Sequence, residues 1–425
     1  MIHHHIADEI RREKKRDTFL YPWYGKYSIA ELPPSIMLAF GMPTTRPHFP
    51  FSISDGTPKK VLFFFVDGLG FDHFVEHEKT LPLFNRLAER GEVYPITSTF
   101  PATTPAALTT IHTNRTPQEH GLPEWTLYFE ELGQRIESLP FRPHLTHERE
   151  ALLNTGGKPE MLYDGPTFYE ELGAGGVRSY TFIKKDYSGS TYNRMTQRGS
   201  IERPYASPGE LAANMAKTLK EESGPAYLFA YWDRVDGVQH AFGPGSPEHR
   251  TALEELSEFI LTDFVPQLTP ESARDTIFLI CSDHGQAPIA DENIIYLDDY
   301  LYLKGSYRIN PAKESILPTG SPHDVFLYIE KDKLDETYEY LKKELEGRVE
   351  VLYMDDAIKR GLFGLYEPSA RFRARVGDLL LLPREGLHVW YRYVPYFGMK
   401  GMHGGLSERE MLVPLAVAEL SELIR

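Results

Sequence analysis

Three unbroken runs of apolar residues constrain the fold of this chain more than any other feature. They cover residues 61–66 (VLFFFV), 226–232 (AYLFAYW) and 276–281 (TIFLIC). A strand buried on both faces has this pattern, whereas a strand with one solvated face alternates apolar and polar residues. Helical periodicity is present over residues 81–90, 166–172, 207–222 and 251–264, and a fourth strand is predicted at 177–183. The chain is therefore predicted to be an α/β protein with a mainly parallel sheet sandwiched by helices.

Changes in composition and in the predicted helices and strands divide the 425 residues into three parts. Residues 1–55 start with a charged amphipathic stretch and then contain prolines that prevent long helices, which predicts an N-terminal extension packed on the core. Residues 56–300 and 392–425 are predicted to form the core. Residues 301–391 are predicted to form an inserted, smaller α+β cap. Within it, strands at 325–329 and 349–353 flank a helix at 333–345, and residues 379–382 and 388–391 form a hairpin.

Composition excludes several classes of protein. With 41% apolar and 25% charged residues the chain is globular rather than disordered. No stretch of about 18 apolar residues occurs, so no membrane span is expected. The net charge of −15 argues against binding of a nucleic acid polymer, which draws affinity from neutralised phosphates. The charged first twenty residues and the single cysteine, Cys281, predict a cytoplasmic protein.

Each of the three apolar strands is followed by side chains of the kind that bind metal ions. Ligands of a mainly parallel sheet bind beyond the carboxyl ends of its strands, so these side chains are expected to lie close together. Another candidate follows Asp236 by four residues, one helical turn away, and the last lies in the loop sequence MHGG. Taken singly, each has a simpler explanation as a surface hydrogen bond, a helix cap or an incidental loop residue. Together they suit zinc or a similar ion, and the candidates are Asp67, Asp236, His240, Asp283, His284 and His403.

A nucleophile is available in the threonine-rich stretch at residues 96–113, ITSTFPATTPAALTTIHT. Thr104 precedes Pro105, which is favoured in the first turn of a helix, and a helix N-terminus stabilises an anion. Thr104 is therefore a candidate nucleophile, with a simple capping role as the alternative. Thr103 is the competing candidate.

The order of FVDG (65–68), FPATT (100–104), DGVQH (236–240), SDHG (282–285) and HGG (403–405) resembles the alkaline phosphatase superfamily, specifically its type I phosphodiesterase/nucleotide pyrophosphatase branch. The resemblance spans residues 61–413. It favours Thr104 over Thr103 as the nucleophile and implies two divalent metal ions, most simply Zn²⁺. By that resemblance one ion is held by Asp67, Thr104, Asp283 and His284, and the other by Asp236, His240 and His403.

The same resemblance implies a reaction. Two cations about 4 Å apart can assist both the attacking and the leaving oxygen of an in-line displacement. Thr104 would attack phosphorus, and water would then hydrolyse the resulting phosphothreonine. The expected substrate is a small organic phosphate ester or a nucleotide.

One departure from the family pattern concerns the substrate. The branch has an asparagine about twenty residues beyond the nucleophile that contacts a phosphoryl oxygen, and here that position holds Trp125, beside Glu124. Lys184 and Lys185 are candidates for the missing positive charge, and the simpler interpretation is that both are solvated surface lysines. Two alternatives to the phosphodiesterase therefore stay open: a phosphomonoesterase or phosphonate hydrolase on the same site, and a non-catalytic metal-binding interaction module. A sulfatase is disfavoured because Thr104 stands where that branch has an oxidisable Cys or Ser.

Overall fold

A seven-stranded sheet forms the centre of the protein, whose computed structural model describes residues 1–394 and 398–424. Numbered along the chain, its strands lie side by side in the order β2 (Glu92–Thr97), β7 (Leu412–Glu419), β6 (Thr276–Ser282), β1 (Lys60–Val66), β5 (Ala226–Trp232), β3 (Arg178–Lys184) and β4 (Ser200–Tyr205). Only β7 runs antiparallel to the other strands of the described sheet. The prediction of an α/β fold with a mainly parallel sheet is therefore confirmed.

Helices cover both faces of this sheet, and three of the four core helices with predicted bounds begin and end within two residues of the prediction. The predicted cap at Ser207 is present, since its hydroxyl accepts a hydrogen bond from Glu210 N at 3.2 Å. The helix expected at 251–264 begins earlier, as Pro247–Glu258, and continues as a π-helical segment, Phe259–Phe264. The other core helices of six or more residues are Phe71–His77, Pro82–Arg90, Thr104–Thr113 (α1), Phe168–Ala174, Thr191–Thr196 (α2), Pro208–Glu221 and Arg234–Phe242 (α3).

The N-terminal residues lie along the outer strand β2. His3 N donates a hydrogen bond to Val93 O at 2.9 Å, and Thr97 N donates to Tyr27 O at 2.7 Å. The helices His4–Lys14 and Leu32–Ala39 bury apolar side chains, among them Ile10 and Ile36, against the core. These contacts cover an edge of the sheet that would otherwise present unpaired backbone groups.

Residues 319–383 contain a second, four-stranded sheet that is antiparallel throughout its described strands. Its order is Thr319–Ser321, Asp324–Leu327, Leu379–Pro383 and Val349–Tyr353, and the helix Leu334–Glu344 contributes Leu341 to its separate apolar core. We call this the small sheet.

The predicted hairpin between residues 379–382 and 388–391 is wrong. Leu379–Pro383 already pairs on both sides, with Asp324–Leu327 and with Val349–Tyr353, so it has no free edge. His388–Trp390 instead pairs in parallel with Ile294–Tyr296.

Short strands outside the central sheet and the small sheet form further, smaller sheets. They are Thr126–Phe129, Gln134–Glu137 and Arg142–Pro143 in one sheet, and Ala287–Pro288 with Gly401–Met402 in another. Within the predicted core segment 392–425, residues 395–397 and 425 lie outside the described residues. Among the helices of the described chain, none has both the length and the apolar character needed to cross a membrane.

Candidate active site

The topology of the central sheet brings the predicted ligands together. Strands β6, β1 and β5 are neighbours and run in parallel, so their carboxyl ends meet at one edge. Asp67 directly follows β1, Asp283 directly follows β6, and Asp236 lies in α3 just beyond β5. Three residues far apart in sequence therefore converge on one point.

Asp67, Asp283 and His284 form a first buried cluster. One potential ligand atom from each lies within 4.8 Å of the others. His284 Nε2 is 3.5 Å from Asp67 Oδ1 and 3.5 Å from Asp283 Oδ2. Neither of these two carboxylate oxygens accepts a hydrogen bond from the described residues. Buried carboxylate oxygens without donors are costly, and a cation between them removes that cost.

A second cluster adjoins the first and contains Asp236, His284 and His403, again within 4.8 Å of one another. His240 joins it, because its Nε2 lies 3.3 Å from Asp236 Oδ2. The rings of His284 and His403 stack with their centroids 3.5 Å apart. All six predicted Asp and His ligands therefore lie in two adjoining clusters, and His284 belongs to both.

The three histidines are held in the tautomer that a metal needs. In each, Nδ1 faces a backbone carbonyl oxygen: Gly401 O at 2.8 Å for His240, Gly285 O at 3.0 Å for His284, and Ala102 O at 2.9 Å for His403. A carbonyl oxygen only accepts, so Nδ1 carries the proton and the Nε2 lone pair faces the cluster.

Burial and like charges shape the ionisation of the cluster. Burial raises the pKa of Asp67 well above its usual value, and the neighbouring carboxylates Asp283 and Asp236 raise it further. Burial also lowers the pKa of His284 to about 4 and that of His403 to about 3, so both imidazoles are neutral at pH 7. Burial opposes the ionisation of Asp236, but the adjacent His240 outweighs it and lowers the pKa of that carboxyl. Burial likewise opposes a charge on His240, but Asp236 outweighs it and raises the pKa of that imidazole. A pocket of three carboxyl groups beside the neutral imidazoles of His284 and His403 attracts cations.

Thr104 is the first residue of α1 and reaches the same pocket. Its Oγ1 lies 3.3 Å from His284 Nε2. Thr103 is engaged elsewhere, because its hydroxyl caps α1 by accepting from Ala106 N at 3.5 Å and donates to Pro123 O at 3.0 Å. The two adjacent threonines thus differ in position: Thr103 closes the helix end and Thr104 faces the ligands.

Two glycines allow this close approach of backbone segments. A Cβ atom on Gly68, which has a φ of +79°, would lie 2.9 Å from Asp236 Cα. A Cβ atom on Gly285 would lie 2.0 Å from Arg409 O. These contacts explain why the ligand sequences read Asp67-Gly68 and His284-Gly285.

Lys184 lines the cavity above the clusters but is not free. Its Nζ forms an ion pair with Asp233, which also accepts a hydrogen bond from Tyr187 OH at 3.3 Å. Asp233, which follows β5, is therefore paired with Lys184 rather than placed in either cluster. Trp125 forms part of the cavity wall and is 40% exposed.

Two residues that the sequence analysis missed hold the carboxylates in place. Tyr231 donates its hydroxyl hydrogen bond to Asp67 Oδ2, and Gln286 Nε2 donates to Asp236 Oδ1. Tyr231 is part of an apolar strand, so its neighbours in the sequence do not indicate that it contacts a metal ligand. Gln286 follows SDHG directly, and its proximity to the motif was the available signal.

Comparison with known proteins agrees with this geometry. The family model for type I phosphodiesterase/nucleotide pyrophosphatase matches residues 61–406. The chain belongs to this family. The predicted branch of the alkaline phosphatase superfamily is therefore confirmed, and so, at the level of the family, is a phosphoester hydrolase.

The individual proteins that resemble this phosphodiesterase family member either match a small part of it or share little sequence identity with it. A Schizosaccharomyces pombe protein described as an uncharacterized pyrophosphatase/phosphodiesterase is 35% identical over 86 residues. Those residues are 20% of this chain and only 18% of the curated relative.

Solved structures show the same fold. Murine ectonucleotide pyrophosphatase/phosphodiesterase 5, in an inactive form in complex with AMP, is 17% identical with a TM-score of 0.64, covering 84% of this chain and 87% of that one. The human counterpart is 18% identical with the same TM-score of 0.64 and the same coverage.

Proposed function

We propose that the protein hydrolyses small organic phosphodiesters or nucleotide pyrophosphates, with Thr104 as the nucleophile. The observation that carries this proposal is the position of Thr104 Oγ1, 3.3 Å from His284 Nε2 at the start of α1. A helix N-terminus favours negative charge on that oxygen. Membership of the phosphodiesterase family supports the same reaction class.

The pocket has the donor set for two divalent cations. We assign one to Asp67, Thr104, Asp283 and His284, and the other to Asp236, His240 and His403. The two carboxylate oxygens without donors and the three Nε2 lone pairs fit such ions. Mixed carboxylate and imidazole ligands suit Zn²⁺, with manganese or iron as substitutes.

The residues of the chain then act in sequence. Bound cations would withdraw charge from the phosphoryl oxygens and from the attacking hydroxyl. Thr104 Oγ1 attacks phosphorus, the bond to the leaving oxygen breaks, and the organic product departs. The phosphoryl group, which still carries the second ester group of a diester, remains on Thr104, and water attacks its phosphorus in line to release the Thr104 hydroxyl and a phosphomonoester. Tyr231 and Gln286 keep Asp67 and Asp236 in position throughout.

The size and charge of the site favour a small substrate. The cavity over the clusters measures about 620 Å³. The net charge of −15 opposes a nucleic acid polymer, whereas cations in the pocket would attract a small phosphate. The AMP bound in the murine relative supports a nucleotide as one such substrate.

We also propose that residues 301–391 act as a cap that helps to select the substrate, since Ser321 and Pro322 line the cavity. Residues 1–55 are proposed as an extension supporting β2. The cytoplasm is the proposed compartment, because Cys281 is the one cysteine of the sequence and excludes an intramolecular disulfide.

A phosphomonoesterase or phosphonate hydrolase is the second candidate function. It is favoured by Trp125, which forms part of the cavity wall where the family resemblance places an asparagine. A tryptophan side chain offers a single N–H donor on a large ring, whereas an asparagine amide offers two N–H donors.

The deciding experiment compares bis-p-nitrophenyl phosphate, p-nitrophenyl phosphate and a p-nitrophenyl phosphonate ester at equal zinc loading. We expect the diester to be hydrolysed fastest and Thr104→Ala to lose about a thousandfold or more in kcat. Thr80→Ala, at an exposed position, is the matched control and should match the unsubstituted protein. Full activity in Thr104→Ala would remove Thr104 as nucleophile, and no activity in any form would favour a non-catalytic metal-binding module.

A further inference from the structure

Part of the cavity extends away from the metal clusters along α1. Thr104, Leu108 and His112 all line it, and their spacing of four residues places them on one face of the helix. At 1.5 Å per residue, His112 lies about 12 Å along the helix from Thr104. We call this extension the α1 pocket. It starts at the proposed nucleophile and ends deep beside α2.

The walls of the α1 pocket are apolar. Leu108 contributes from α1, Ile183 from β3 and Phe229 from β5, and all three are buried. Tyr192 adds a ring from α2, and its hydroxyl is already engaged with Thr109 Oγ1 at 3.0 Å. Such walls favour an apolar group and disfavour a charged one.

The far end of the α1 pocket is polar, and its hydrogen bonds fix the orientation of each group. Asn193 Nδ2 donates to Tyr187 O at 2.9 Å, so Asn193 Oδ1 accepts, from Gln197 Nε2 at 3.2 Å. Gln197 Nε2 also lies 3.2 Å from His112 Nε2. Burial lowers the pKa of His112 to about 3, so it is neutral. This arrangement leaves Gln197 Oε1 as a buried acceptor with no hydrogen-bond partner among the described residues.

We propose that the α1 pocket binds the organic group of the substrate and selects a slender, uncharged, largely apolar chain that ends in a hydroxyl. Continuity with Thr104 makes the bound chain part of the phosphoester under attack. The apolar walls select the chain, and Gln197 Oε1 selects a terminal donor because an acceptor left unpaired in the interior is costly. This inference rests on the proposed phosphodiesterase function and names its substrate class.

The first test uses p-nitrophenyl phosphodiesters whose second ester group is methyl, n-octyl or 8-hydroxyoctyl. We expect kcat/KM for n-octyl to exceed that for methyl by about tenfold or more, because the longer chain buries apolar surface in the pocket. The 8-hydroxyoctyl ester should gain about a further fivefold from its hydrogen bond.

Two variants connect these preferences to the pocket. Leu108→Phe narrows it and should lower the octyl-to-methyl ratio about tenfold, whereas Leu301→Phe, at a position 73% exposed, should leave the ratio unchanged. Gln197→Met keeps a similar shape without an acceptor amide. This variant should have equal kcat/KM for the 8-hydroxyoctyl and n-octyl esters. It should keep the higher kcat/KM for the n-octyl ester than for the methyl ester.

Binding gives a readout that does not depend on turnover. Calorimetric titration of zinc-loaded Thr104→Ala with 8-hydroxyoctyl phosphate should show affinity at least about tenfold above methyl phosphate. Equal affinity for both, or equal kcat/KM for all three diesters in the unsubstituted protein, would overturn the α1 pocket and leave the phosphodiesterase intact. No hydrolysis of any diester would instead overturn the proposed function itself.

Discussion

The central sheet and the small sheet differ in where the residues just beyond their strands are placed. In the central sheet, Asp283 comes directly after β6 and is fully buried beside Asp67, which comes after the parallel neighbour β1. In the small sheet, Asp355 lies just beyond Val349–Tyr353 and forms an exposed ion pair with Arg373. Neighbouring antiparallel strands end at opposite edges, so the residues beyond them do not collect. Parallel neighbours are what concentrate the acidic groups here.

The test with the largest expected effect removes one aspartate that lies just beyond a strand of each sheet. We expect Asp283→Ala to lower kcat/KM for a phosphodiester by about a thousandfold or more and to lose one zinc ion per chain, because Asp283 Oδ2 lacks any other partner in the described structure. Asp355→Ala should change neither value by more than about twofold. Hydrolysis rates and metal analysis measure both. Zinc retained in Asp283→Ala would contradict the assignment of this ligand.

The second comparison concerns glycines near each sheet. Gly285→Ala places a Cβ atom 2.0 Å from Arg409 O, so the backbone must shift and carry His284 with it. We expect activity to fall at least about tenfold and the free energy of unfolding to drop by about 2 kcal/mol or more. Gly386→Ala, beyond the small sheet, meets open space but has a φ of +82°.

The cost at Gly386 should be about 1 kcal/mol, from backbone conformation alone, with activity unchanged. Chemical denaturation and a diester assay separate the two variants. Equal loss of activity in both would show that the close packing at His284 is not specific to the metal edge.

An effect on stability alone is expected where the two regions meet. Burial raises the pKa of Glu124 to about 7, and burial together with the neighbouring Glu124 raises the pKa of Asp324 of the small sheet well above its usual value. The folded state therefore binds this proton more tightly than the unfolded state. Stability from the pair is present at low pH and is lost as pH rises from about 4.5 towards about 7.

Glu124→Gln keeps a donor beside Asp324 but does not titrate. We expect its free energy of unfolding relative to the unsubstituted protein to increase by about 1 to 3 kcal/mol between pH 5 and pH 8. Urea denaturation at both pH values measures the difference. A difference that stays constant over this range would show that Glu124 carries no shifted pKa.

Local patterns in the sequence are sufficient to predict the strands that position the site. The run at residues 226–232 matches β5 in full, and the Ser207 cap begins its helix as predicted. The ligands were found because they directly follow such strands or share a helical turn. The pairing of strands that are far apart in the sequence cannot be predicted from such local patterns. Nothing near residues 388–391 indicates that their partner is Ile294–Tyr296, and neither β4 nor β7 was predicted.

The same limit applies within the site. Residue types and spacing leave both Thr103 and Thr104 as candidates, and in the structure the contact between Thr104 Oγ1 and His284, 180 residues apart, separates them. Tyr231 and Gln286 contact carboxylates brought near by the sheet, which no spacing rule reveals.

The order of the central sheet also has a consequence for biosynthesis. Strand β7, near the end of the chain, lies between β6 and β2 and is the strand through which β2 joins the sheet. The segment after β2 leads directly to Thr104. Thr104 therefore depends for its place beside His284 on a strand that is synthesised long after it, so the catalytic pair is assembled only once residues 412–419 have joined β2 to β6.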